Sequence, residues 1–239
     1  MQLAGKLALI TGGTDGIGIE IARHLKAGGA SVIVVGRNPE RLAAARAEGF
    51  EAIGADLTNE AGCEAVIGSV RDRPLDILVN NAGMGSDFDV MAPIDIAETD
   101  RCIFLNLNAP IHLIAGLLGD LRARPEAMIV NVTSGLAIAP SGKTPIYCAT
   151  KAGLRSFTLA LRKQLQGTGV HVLEVLPPVV ETRMTVKNTH KKLPAPECAR
   201  QIVAAMTAGH NEANVGMTKL LRAAYSVSPA LARRIMLSY

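Results

Sequence analysis

A chain of 239 residues with 49% hydrophobic and 19% charged side chains has ample material for one sizeable core, and is expected to bury roughly 70–75% of the surface it exposes when unfolded. The formal charge of +4 is scattered, with no basic cluster interleaved with aromatics, which argues against a nucleic-acid partner. Four isolated cysteines, without Cys-x-x-Cys or Cys/His spacing, argue against a disulfide framework and a metal site.

Aromatics make up only 3%, so the core must come from Ala, Val, Ile and Leu, which suits buried parallel strands between helices. No run of about 18 uninterrupted apolar residues occurs, and the chain opens without a charged segment leading into an apolar one. The expectation is a cytoplasmic protein with no membrane span and no membrane partner.

In chain order, Leu7–Ile10 reads as a strand, followed by Thr11-Gly-Gly-Thr-Asp-Gly-Ile-Gly18 and a helical face of Ile19, Ile21, Ala22 and Leu25. Strand, glycine-rich turn and helix form the context of a dinucleotide-binding turn, because glycines admit close approach of a pyrophosphate and the helix start offers free N–H groups. The spacing, Gly12, Gly16 and Gly18, is G-x-x-x-G-x-G rather than G-x-G-x-x-G. Ser31–Val35 is a second strand, and its end sets cofactor choice. No acid stands at Gly36 or Arg37 to hold a ribose hydroxyl, whereas Arg37 could hold a 2′-phosphate, which favours NADP over NAD. Asp15 argues the other way, as poor company for an added phosphate.

Pro39–Glu48 reads as a helix and Glu51–Ala55 as a strand ending at Asp56, which could accept from an adenine amino group or cap the helical stretch Asn59–Arg71. Leu75–Val79 is a fourth strand, and Asn80-Asn81-Ala82-Gly83 after it could form a polar floor for a cofactor. Ile96–Leu118 is a long helical region in which Pro110 should kink the helix near Asn106, free a carbonyl and leave room for an ordered water.

Ala127–Thr133 is a fifth strand, and Ser134 at its end precedes Tyr147 by thirteen residues. Beyond Pro145, Ala149, Ala152, Leu154, Phe157 and Leu161 recur at helical spacing, which puts Tyr147 and Lys151 on one face. An ammonium about 4 Å from a phenol, worth about 4 kcal/mol at an effective dielectric near 20, would lower the phenol pKa by about three units toward a working range. Val170–Leu176 is a sixth strand, Thr185–Leu193 is polar and basic and reads as a mobile lid, Glu197–Ala208 is a helix, Asn214–Gly216 a short last strand, and the tail to Tyr239 is helical and basic. The pocket would be lined by 84–88, 136–141 and 178–193, and His190, Lys191 and Lys192 could meet an acidic substrate group. Alternating strands and helices predict an α/β, doubly wound parallel sheet in a single domain, 1–239, with 178–210 as the substrate loop.

Four motifs in order, TGGTDGIG at Thr11–Gly18, NNAG at Asn80–Gly83, the Ser134 to Tyr147 spacing, and YCATK at Tyr147–Lys151, make the chain resemble the short-chain dehydrogenases/reductases over nearly its whole length. Ala109–Leu113, Ile129–Ala137 and Ala149–Arg162 resemble most the family members found with D-alanyl-lipoteichoic acid genes. The resemblance implies a Rossmann sheet of about seven strands and NAD(P)-dependent hydride transfer between a carbonyl and an alcohol. It implies a catalytic set in which Asn106 positions a water, Ser134 orients the substrate oxygen, Tyr147 is the general acid or base, and Lys151 tunes it and holds the nicotinamide ribose. Gly12, Gly16 and Gly18 would face the pyrophosphate, Asp56 the adenine, Asn80 the adenosine side and Thr182 the nicotinamide carboxamide or the pyrophosphate. Thr14, Asp15, Ile17, Arg37, Leu57, Ala82, Gly83, Pro177 and Val180, with Tyr147 and Lys151 themselves, complete the implied cofactor contacts. A homodimer or homotetramer is implied through the long helices. Pro177-Pro178 departs from the family's Pro-Gly. The alternative to an enzyme is a non-catalytic dinucleotide-binding sensor or scaffold.

Overall fold

The structure is a computed structural model, and it describes residues 1–86, 88–186 and 188–238. Asp87 and Lys187, in segments expected to line the pocket, lie outside the described residues, as does Tyr239. Seven parallel strands form one sheet in the order β3-β2-β1-β4-β5-β6-β7. They are β1 (Leu7–Thr11), β2 (Ser31–Gly36), β3 (Glu51–Gly54), β4 (Leu75–Asn80), β5 (Ala127–Val132), β6 (Val170–Leu176) and β7 (Glu212–Asn214). β1, β4 and β5 are buried at every position, as expected of strands covered on both faces.

One face carries α1 (Gly16–Ala27) and α7 (Ala195–Thr207), where Ile21, Leu25, Cys198, Ile202 and Met206 are fully buried. The other carries α3 (Glu60–Val70), α5 (Ala109–Arg122) and α6 (Pro145–Gln164), with Val66, Leu113, Leu117 and Leu121 beneath them. α2 (Pro39–Ala47) flanks β2 and β3, and α4 (Ile96–Ile103) leads into α5. Helix starts are set by side chains: Asp15 accepts from Gly16 N, Asn38 from Arg41 N and Asn59 from Gly62 N.

Several boundaries differ from expectation. β7 is Glu212–Asn214, not Asn214–Gly216, because Gly216 takes φ +52° and ends the extended run. The expected kink at Asn106 is a π turn, Phe104–Asn108, between α4 and α5. Pro110 has no N–H to give Asn106, and the helix widens so that Ala109 N bonds Phe104 O. The helical stretch Ile96–Arg122 is, among the described residues, long and apolar enough by length and composition to cross a membrane, yet its Leu113, Leu117 and Leu121 are buried in the core.

The 178–210 stretch divides in two. Val180 and Leu193 bridge at the base of a loop, with Glu181 N donating to Leu193 O (2.8 Å) and Leu193 N to Val179 O (2.9 Å), whereas 195–207 is the core helix α7. Thr185 ends a short 3-10 turn, Arg183–Thr185. After β7 come α8 (Thr218–Val227) and α9 (Pro229–Leu237).

Candidate active site

β1 lies between β2 and β4, so the chain runs outward in opposite directions from the β1/β4 gap, and a crevice opens at the carboxyl ends of the strands there. A cleft of ≈ 530 Å³ follows that crevice. Thr14, Arg37, Asn38 and Arg41 line one end, Ala82, Gly83 and Thr182 the middle, and Ser134, Tyr147 and Lys151 the other end.

At the first end the glycines do different work. Gly16 takes φ +53°, and a Cβ there would press on Thr182 Cγ2 at 3.0 Å, so the turn and the loop after β6 approach closely only with glycine at this position. Gly18 lies inside: a Cβ would fall 2.2 Å from Gly12 O, so this glycine packs the turn and does not line the cleft. Gly12, Thr14, Gly16, Ile17, Leu57, Pro177 and Val180 line it.

Asp15 is not the isolated carboxylate the sequence suggested. Its Oδ1 caps α1, and its Oδ2 pairs with Arg41 Nη1 (3.1 Å) and with Arg183 Nε (3.2 Å), across the cleft from the loop after β6. With Arg37 exposed beside them, three arginines stand against two acids, Asp15 and Asp56, an excess that suits an anionic group. Asp56 lines the cleft and accepts from Thr58 N, while the cap of α3 is Asn59.

Asn80 is a correction. It is buried within the sheet, where its Nδ2 donates to Asn131 Oδ1 at 2.9 Å, and does not line the cleft. Asn81 does: its Nδ2 donates to Thr11 O and Gly12 O and so fastens the glycine turn. The doubled asparagine held this signal, since a strand buried on both faces leaves only the next residue to emerge. Arg41 is a cleft residue that sequence reasoning missed, whereas Asn81 was read only as part of a polar floor and Arg183 only as part of the pocket-lining stretch 178–193.

At the other end, β5 delivers three consecutive residues with three tasks. Val132 O accepts from Lys151 Nζ (2.9 Å), Thr133 Oγ1 donates to Glu174 Oε1 (2.8 Å), and Ser134 Oγ accepts from Leu136 N (3.1 Å) and is hydrogen-bonded to Tyr147. Glu174 is fully buried and paired with Arg155, one helical turn beyond Lys151 on α6.

The expected electrostatics are corrected here. Lys151 Nζ lies 5.7 Å from the Tyr147 ring centroid, and the phenol is pushed up, not down. Burial is the main cause, partly offset by the bond to Ser134. Part of the ring surface still opens to the cleft, so water there moderates the shift. Lys151 is buried, and the loss of hydration lowers it to about 8, so its charge is not the fixed one assumed.

Asn106 is fully buried and does not line the cleft. Its Oδ1 accepts from Met84 N (2.9 Å), and its Nδ2 donates to Met84 O (2.8 Å) and Thr150 Oγ1 (3.2 Å). The side chain thus ties the loop after β4 to α6. Asn106→Ala strands Met84 N, leaves Met84 O only the Cys102 thiol, and should cost about 2–4 kcal/mol. Urea unfolding measures this, and an unchanged midpoint would show that the tether carries no weight.

Among the described residues no group of three or more His, Cys, Asp or Glu is placed to hold a metal ion, and all four cysteines are free and buried. Residues 6–193 match the profile described as short chain dehydrogenase. The chain is a member of the short-chain dehydrogenase family. It is similar to the oxidoreductase DltE of Bacillus subtilis (strain 168), 41% identical over 197 residues, covering 80% of this chain and 78% of that one. Serine 3-dehydrogenase of Agrobacterium fabrum is 35% identical over 76% of this chain and 74% of its own length. A short-chain dehydrogenase from Sphingobium yanoikuyae, solved in complex with NADPH, superposes with a TM-score of 0.84 at 26% identity, covering 98% of this chain and 97% of that one. Membership in this family makes the chain an oxidoreductase with a Rossmann-like sheet.

Proposed function

We propose that this short-chain dehydrogenase interconverts a carbonyl and an alcohol with NADP(H), using Tyr147 as the proton-transfer group. The observation that carries it is one continuous cleft with a glycine turn and arginines at one end and Ser134, Tyr147 and Lys151 at the other. The residues fit a dinucleotide: Gly12, Gly16 and Ile17 put the glycine turn and the start of α1, with its free N–H groups, on the cleft wall. The NADPH complex of the Sphingobium relative supports the same assignment.

When bound, the dinucleotide supplies the hydride. Ser134 would hydrogen-bond the substrate oxygen and hold it against the phenol. Tyr147, kept protonated at neutral pH by its burial, would donate its proton to that oxygen in reduction and take one back in oxidation. Lys151, anchored on Val132 O, would hold the ribose and carry positive charge toward the proton path below pH about 8. Gly12, Gly16, Ile17, Ala82, Gly83, Pro177, Val180 and Thr182 would shape the channel, and Asp56 and Leu57 would flank the adenine.

NADP is preferred over NAD in this proposal because Arg37 stands exposed at the end of β2 and Asp15 is already occupied by two arginines. Arg37→Glu should weaken NADPH by roughly ten- to hundredfold, the loss of one charge-assisted bond, and leave NADH nearly unchanged. Fluorescence titration of both coenzymes reads this, and equal weakening of the two would remove Arg37 from the phosphate.

A further inference from the structure

The helices after β7 are built differently from those before it. α8 turns Thr218 and Leu221 toward the body, and its outward face carries Leu220, Ala223, Ala224 and Val227, spaced i, i+3, i+4 and i+7. Leu220 is 63% and Val227 87% exposed. The strip continues on α9 with Leu231 and Ile235, both more than half exposed, while Ala232 is the buried residue of that helix. An outward face would ordinarily be polar.

The charge of the same segment is one-sided. After Glu212 the sequence has no Asp or Glu, but it has Lys219, Arg222, Arg233 and Arg234. Arg222 is paired with Glu212 (3.4 Å), Arg233 lies over the Tyr225 ring (5.9 Å) and Lys219 stands near enough to Glu197 to stabilise its carboxylate, while Arg234 borders the strip and no side-chain acid lies on it.

An apolar helical face bordered by cations fits the boundary between headgroups and acyl chains of an anionic bilayer. A second copy of this chain fits it less well, because a two-fold contact would set these cations against their own equivalents with no acid on the face to answer them. We propose that α8 and α9 dock the protein on the surface of an anionic phospholipid bilayer. This is contact with a surface and not a span, since helices of 10 and 9 residues are too short to cross.

The opposite side of the helix pair packs on the body. A Cβ on Gly135, next to Ser134, would meet Thr218 Oγ1 at 3.1 Å and Leu221 Cδ2 at 3.4 Å, and one on Gly142 would meet Leu237 O at 2.7 Å. The inward side of the helix pair therefore rests on the segment between Ser134 and Tyr147, and the apolar strip lies on its far side.

Flotation of the full chain with phosphatidylcholine vesicles, with and without phosphatidylglycerol, tests this. Recovery is expected only with the anionic lipid and should be lost at about 1 M salt, where the screening length shrinks to about 3 Å. Leu220→Glu with Val227→Glu should abolish it. Lys219→Ala and Arg234→Ala, which keep the apolar strip intact, should each weaken it about fivefold. An unchanged NADPH affinity shows that each variant is folded. Equal recovery with both vesicle types, no recovery with either, or full recovery of the double glutamate variant would overturn the proposal. So would light scattering that finds a dimer made monomeric by that variant, which would assign the face to a second copy.

Discussion

Tyr147→Phe is expected to keep NADPH affinity within a factor of about two and to lose about a thousandfold in turnover with any carbonyl that the parent reduces. The substitution deletes one oxygen. It leaves the ring packed, Ser134 Oγ still accepting from Leu136 N, and Lys151 on Val132 O. Nothing that binds a dinucleotide is touched, so affinity and chemistry should separate. The direction of the phenol's shift adds a sign. Burial raises it, so the group is a proton donor across the neutral range, and the reductive direction should be flat there. The oxidative direction needs the phenolate and should accelerate as pH rises. Unchanged turnover in the phenylalanine variant would remove Tyr147 from the reaction and favour a dinucleotide-binding sensor.

Lys151→Met should make stability depend less on pH than it does in the parent. Burial lowers Lys151 from 10.5 to about 8. Between those values the folded state binds fewer protons at this site than the unfolded chain, so stability rises with pH. Below pH about 8 both states are protonated, and the parent carries the full cost of a buried ammonium. The gap of about two to three units corresponds to about 3 kcal/mol. Urea unfolding from pH about 7.5 to about 10 should therefore show the parent gaining on the methionine variant by about that amount, whatever the absolute offset from the unpaired Val132 carbonyl. Parallel pH profiles for the two proteins would mean that water reaches the ammonium. Activity should fall in the variant at every pH.

The sheet was legible because its strands are short apolar runs closed by turn chemistry, and the alternation with helices left one layer arrangement. Ser134, Tyr147 and Lys151 were legible too, since i, i+4 geometry brings two of them together wherever a helix forms. What the one-dimensional pattern withheld was competition for side chains. Asn80 and Asn81 are identical in sequence, yet only the second emerges from the sheet. Asp15 reads as an obstacle until Arg41, twenty-six positions on, and Arg183, on a distant loop, are seen to hold it. The sign of the Tyr147 shift depended on dehydration, which no spacing encodes. It outweighed the hydrogen bond from Ser134, which pulls the other way.

The amide ladder of Asn80, Asn131 and Thr158 has a consequence for alignment. Parallel strands covered on both sides present nearly uniform hydrocarbon, so hydrophobicity alone tolerates a slip of one strand past its neighbour. Asn80 and Asn131 are register partners, with Asn131 Nδ2 continuing to Thr158 Oγ1 on α6. Displacement by one position would strand two amides in oil, at several kcal/mol. The pair thus works as a vernier. It sets how far β5 projects beyond β4, and with that the height at which Ser134, three residues further along, meets the helix that carries Tyr147.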